Sequence, residues 1–97
     1  MYTETALFDL LLPGDSRTLK RKRGYVRPIV AMLRRLEVSV AEVGAQDVYG
    51  RAQIGVAVVA GEPGQARRVI DACERQVTAR PEIELLSVRR RLHGDED

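Results

Sequence analysis

In the stretch "RTLKRKRGYVRPIV", residues 17 to 30, Lys20, Arg21, Lys22 and Arg23 stand in an unbroken row. Side chains of this type do one kind of chemistry well: they neutralise phosphates and release the counterions that phosphates hold. From Arg17 to Arg35 the chain carries eight basic residues and no acidic one, which is half of its sixteen Lys and Arg. The net charge is only +2, so the asymmetry lies in the distribution and not in the sum. An ordinary solvated helix face can look the same. Four cations in the first turns, however, oppose the positive end of the helix dipole, each at a cost of about 0.3 to 1 kcal/mol. A purely structural face would carry acids there.

A second concentration of polar groups is "AEVGAQDVYGRA", with Glu42, Gln46, Asp47, Tyr49 and Arg51. Two carboxylates can share acid and base work only beside a nucleophile, a histidine or a metal set, and Glu42 and Asp47 have none nearby in sequence. No enzyme activity is expected. The structural alternative is turn chemistry, with an Asp47–Arg51 pair and Glu42 paired to a basic residue of the last strand. The functional alternative is a loop that contacts a partner through Glu42, Gln46, Asp47 and Arg51.

Cys73 is the only cysteine, which excludes an internal disulfide and a multi-cysteine zinc site. It falls in an apolar stripe and reads as a small core residue. His93 is the only histidine, so neither a metal nor a cofactor is expected. "GEPG", residues 61 to 64, lacks the glycines and the following Lys with Ser or Thr of a phosphate loop, and reads as a turn before a helix.

The elements that must position these residues follow from periodicity. Residues 4 to 12 alternate as a strand, with Ala6, Phe8, Leu10 and Leu12 on one side, and "PGD" ends it. Thr18 can cap a helix from Leu19, whose apolar positions Val26, Ile29, Val30, Leu33 and Leu36 keep helical spacing up to about Leu36. Pro28 lies inside this pattern and removes one backbone donor, so a bend is expected there and not a break. "EVSVAEVGA" and "RAQIGVAVVAGEPG" supply a second and a third strand around the loop "AQDVYG". A second helix starts at Gln65, carries Ala66, Val69, Ile70, Cys73 and Val77 at helical spacing, and stops before Pro81. "EIELLSVRRRL" is the fourth strand.

The order β-α-β-β-α-β is the ferredoxin-like arrangement of the α+β class. Right-handed crossovers put the first and third strands in the middle of a four-stranded antiparallel sheet of order 4-1-3-2, with both helices on one face. Ninety-seven residues make one such domain, over residues 1–93, with a flexible acidic tail at 94–97. The apolar run in "MYTETALFDLLLPGD" is too short to span a bilayer and no basic residue precedes it, so a cytoplasmic protein without a membrane segment is expected.

If Phe8 and Leu10 face the helices, Thr5, Leu7, Asp9 and Leu11 face away from them, and on the third strand Gln53, Gly55, Ala57 and Val59 do the same. With Ala41 and Val43 of the second strand this makes a small-residue, apolar open face formed by Leu7, Leu11, Ala41, Val43, Gly55, Ala57 and Val59. Such a face suggests a partner surface, and a homodimer packed sheet on sheet is expected. The RNA-recognition motif stacks bases on aromatics of its two central strands, whereas Leu7, Asp9, Gly55 and Ala57 occupy those positions here. Base stacking of that kind is disfavoured.

"LLLPGDSRTLKRKR", "VSVAEVGAQDVYGRAQIGVAVV" and "PEIELLSVRR" together make the chain resemble the YlxP-like family, small bacterial proteins classed as a domain of unknown function. The resemblance covers nearly the whole chain and implies a ferredoxin-like fold. Because relatives are often encoded beside genes for translation initiation and ribosome maturation, it also implies an association with RNA or the ribosome. The family offers no established catalytic residue to carry over. Relatives commonly have an acidic residue where Arg21 stands and an aromatic one near Val48 and Tyr49, so this first helix is more basic than those of its kin.

The expected function is therefore a non-enzymatic binding module that meets RNA or the ribosome with Lys20, Arg21, Lys22, Arg23, Arg27 and Arg34. On a helical wheel Lys20, Arg23, Arg27 and Arg34 share one stripe. The alternative is a homodimeric regulatory or scaffold protein that binds a protein partner or small effector through the open sheet face. Salt separates the two, since only phosphate binding falls steeply with it.

Overall fold

A computed structural model describes residues 1–95; residues 96 and 97 of the expected tail lie outside the described residues. The element order is β1 (Tyr2–Leu11), α1 (Leu19–Arg34), β2 (Ser39–Gly44), β3 (Arg51–Ala60), α2 (Pro63–Thr78) and β4 (Glu84–His93). The four strands form one antiparallel sheet of order β2-β3-β1-β4, the arrangement that the sequence pattern predicts. β1 begins at Tyr2, two residues earlier than its hydrophobic alternation, because Tyr2 and Thr3 find partners in Ala60 and Val59 of β3.

Each helix starts on a recognisable device. Thr18 is extended, with φ −130°, and its hydroxyl accepts the Arg21 backbone N–H at 3.1 Å. α2 begins at Pro63, ahead of the expected Gln65, since proline at the first helical position gives up an N–H that would have had no partner. α1 runs unbroken through Pro28 but stops at Arg34, short of Leu36. There the chain tightens, Leu36 N–H reaching Leu33 O at 2.9 Å, and Glu37 turns into the left-handed region at φ 62°.

The core lies between the helices and one face of the sheet. Phe8 and Leu10 of β1, Ile54 and Val56 of β3, Ile29 and Leu33 of α1, and Ile70, Cys73 and Val77 of α2 are all buried. Burial also pushes the Cys73 thiol pKa up, which leaves the sulfur protonated and inert.

Two ionic contacts are built into the helix-side layer, one at each sheet edge. At the β4 edge Arg90 holds Glu4 of β1, which is itself buried, and donates to Asp71 of α2 at 2.6 Å. Burial alone would lower the Arg90 pKa, and the bonds to Asp71 and Glu4 outweigh it and raise it. The other contact, at the β2 edge, borders the candidate site.

On the opposite face, directly paired residues share a side. Leu7 sits between Gly55 and Arg89, and Thr5 between Ala57 and Arg91. The open face is therefore apolar toward β2 and β3 and bordered by arginines on β4, not apolar throughout. Val43, at a bulge in β2, leans over Gly55 so closely that a Cβ there would stand 3.1 Å from Val43 Cγ1. Gly55 is a glycine because Val43 occupies its side-chain space.

Phe8 has no exposed surface and lies in the central strand, so Phe8→Ala should destabilise the fold by about 4 kcal/mol. Urea unfolding followed by circular dichroism reads this directly; a loss below about 1 kcal/mol would show that the core does not close around Phe8.

Candidate polyanion-binding surface

Helix α1 sets one wall of the site and the β2 end with its following loop sets the other. The apolar stripe that anchors α1 in the core is Val26, Ile29 and Leu33, and Lys22 extends it by one turn. Lys22 consequently points inward. Its ammonium, almost wholly buried, donates to Ala45 O at 2.6 Å and Gln46 O at 3.2 Å. It also lies 2.9 Å from Glu42 Oε2, a charge contact without hydrogen-bond alignment.

The loop is pinned from its other side as well. The buried Ser16 hydroxyl lies 2.7 Å from Pro13 O and 3.0 Å from Tyr49 O, and Leu12 N–H donates to Gly50 O at 3.0 Å. Between these ties Ala45 adopts φ 58°, a left-handed conformation that a non-glycine residue holds only under outside constraint. Ala45 O accepts from both Lys22 Nζ and the Val48 backbone N–H, the latter at 3.0 Å, so both of its lone pairs are used. The loop residues Gln46 and Asp47 are thus presented by a fixed turn.

Between the two walls runs a groove of about 620 Å³. Arg23, Arg27, Val30 and Arg34 line it from α1, Glu42 from β2, and Gln46 and Asp47 from the loop. Arg23 and Arg27 also border a shallower depression with Lys20, Gly24 and Pro28, so the four-residue stripe faces two adjoining concavities. Lys20, Arg23, Arg27 and Arg34 are exposed, and none has a hydrogen bond or ion pair among the described residues.

Three expectations change. Lys22 does not belong to the exposed basic row: helical spacing carries it into the interior, where it is a clamp and not a contact for an outside anion. Glu42 pairs with Lys22 of α1 and not with strand four, because the inward side of β2 faces the helix. Arg51 pairs with Asp9 of β1 at 2.7 Å and not with Asp47, since the two share the open face on neighbouring strands. Arg21 is exposed but lies 3.3 Å from Asp15, whose other oxygen accepts the Tyr25 hydroxyl at 2.7 Å and so raises the Tyr25 pKa.

Leu7, Leu11, Ala41, Val43, Gly55, Ala57 and Val59 lie on the open sheet face, on the far side of the sheet from the groove, with Leu11, Val43 and Val59 well exposed. Among the described residues no group of three or more His, Cys, Asp or Glu side chains gathers as a metal site would require. Among the described residues no helix is long and apolar enough to cross a membrane.

A βαββαβ sandwich with a basic helix beside a groove defines the class: a small ferredoxin-like domain of the α+β type. More narrowly, the chain belongs to the family described as protein of unknown function (DUF503), whose profile matches residues 4–90. No curated protein matches it.

The two kinds of cation on α1 should separate in stability measurements. Lys22→Met leaves two carbonyls and Glu42 without their partner and should cost about 2 kcal/mol in urea unfolding. Arg23→Gln, at an exposed and unpaired position, should stay within about 0.5 kcal/mol of the parent.

Proposed function

We propose that this chain is a non-enzymatic binding module that holds RNA through the exposed cations of α1, in the ribosomal setting that its YlxP-like resemblance suggests. The observation that carries the reading is the stripe of Lys20, Arg23, Arg27 and Arg34, exposed together and without a carboxylate partner among the described residues. Arg35, Arg68 and Arg75 are exposed and unpaired as well, so the weight lies on the grouping of the four along one helix stripe. Lys20 and Arg23 lie in the first turns of a helix that has no acidic residue there. They work against the dipole of their own helix, an unfavourable arrangement that a bound polyanion offsets. The contacts are made to phosphates, because the open sheet face offers no aromatic platform for bases.

A second reading is favoured by the exposure of Val43 and Val59, at 58% and 63%. The chain forms a homodimer through the open sheet face, which leaves both basic helices outward and multiplies a weak single-site affinity. A regulatory or scaffold role would use the same face without RNA.

Cosedimentation with ribosomal subunits at low and near-physiological salt tests the first reading. The parent should pellet with a subunit, and the triple variant Lys20→Glu, Arg23→Glu, Arg27→Glu should remain in the supernatant. With four phosphates engaged, the logarithm of affinity should fall against that of salt with a slope of about −3; a slope near zero rules the reading out. For the second reading, sedimentation velocity should find a dimer that Leu11→Ser weakens and the triple variant does not.

A further inference from the structure

The two walls of the α1–β2 groove differ in chemical character, and that difference narrows what the groove accepts. The helix wall presents the cations Arg23, Arg27 and Arg34 together with the aliphatic Val30 and Ala31. The loop wall presents acceptors. Asp47 is exposed and has no hydrogen bond or ion pair among the described residues, and Gln46 uses its amide nitrogen on Glu42 O at 3.2 Å, leaving its amide oxygen unengaged. Glu42 of β2 also lines the groove, but its charge is already met by Lys22 at 2.9 Å.

The complement of such a groove has an anionic side, a flat apolar middle and a hydrogen-bond-donating edge. An acidic peptide matches the helix wall but brings carboxylates toward Asp47. An intact duplex keeps its base edges paired, so it meets the arginines with phosphates alone and leaves Asp47 unengaged. An unpaired nucleotide satisfies all three requirements: phosphates on the arginines, the base against Val30 and Ala31, and its Watson–Crick edge on the loop. Of the four bases guanine alone presents two adjacent donors, an imino N–H and an amino group, which one carboxylate accepts side by side.

We infer that the groove binds a single-stranded RNA segment with an unpaired guanosine opposite Asp47. This rests on the RNA reading of α1 and adds to it a strand state and a base. Arg23, Arg27 and Arg34 supply affinity that any sequence shares, and Asp47 supplies the choice of base. Lys22 acts only as a positioning residue, holding the loop at the distance that a base requires.

Fluorescence anisotropy with the full chain tests this, using a short labelled oligouridine with one central guanosine, the all-uridine oligomer, and a duplex of the same length. The guanosine oligomer should bind about tenfold more tightly than the all-uridine one. Asp47→Ala should abolish that preference, the guanosine and all-uridine oligomers then binding alike, and inosine, which lacks the amino group, should lose the preference in the parent. Asp47 is exposed and unpartnered, so the variant should fold as the parent does. Equal binding of all three RNAs overturns the inference but leaves the RNA reading standing, with phosphates held on the outer stripe. Binding to none at low salt removes both. Polyglutamate that displaces the guanosine oligomer at comparable concentration also overturns it, and assigns the groove to an acidic protein segment.

Discussion

The buried ammonium of Lys22 sets the terms for one half of the molecule. An amine taken out of water must recover its lost hydration from fixed acceptors, and here they are two loop carbonyls and one carboxylate, all from β2 and the turn that follows it. The turn has to come to the helix, and Ala45 takes a left-handed conformation in order to do so. The groove is the space that remains between a helix and a loop drawn together at one end. The placement of Gln46 and Asp47 in the groove follows from that contact together with the ties of Ser16 and Leu12 to the far end of the loop.

Arg90 plays the matching part at the far edge, joining β1 and β4 to α2 through Glu4 and Asp71. The sheet is thus held to its helices by apolar packing in the middle and by one cation at each side. The difference between the two cations is instructive. Arg90 spreads over three elements and closes its edge. Lys22, a compact point charge, satisfies itself within β2 and the turn that follows it.

Much of this architecture was legible in the sequence. Period-two alternation identified β1 and β2, the unbroken apolar run from Ile54 to Ala60 identified β3, Thr18 marked the start of α1, and the split connectivity fixed the sheet order. The strand ends were less so, because Tyr2 and Thr3 are ordered by the partners they meet on β3 and not by any pattern of their own. The role of Lys22 was readable in principle: it stands four, seven and eleven residues before Val26, Ile29 and Leu33, in register with the core stripe, and only its residue type argued for the surface. Glu4 gives the same kind of signal, since it alternates with Ala6 and Phe8. The Asp9–Arg51 pair and the opposed walls of the groove could not be read this way. They depend on strand register and on the approach of a loop to a helix, neither of which local spacing encodes.

The position of β1 has a consequence for how the molecule comes into being. Its residues pair on one side with Arg51–Ala60 and on the other with Glu84–His93, so the strand made first is the last to be completed. A nascent chain carries the apolar face of β1 unpartnered until β3 has emerged, and its other edge stays open until almost the whole chain is free. For all that time the exposed charges of α1 are already outside, next to the hydrophobic strand in sequence. The basic segment that follows β1 places like charges beside that strand, and like charges oppose the association of neighbouring chains.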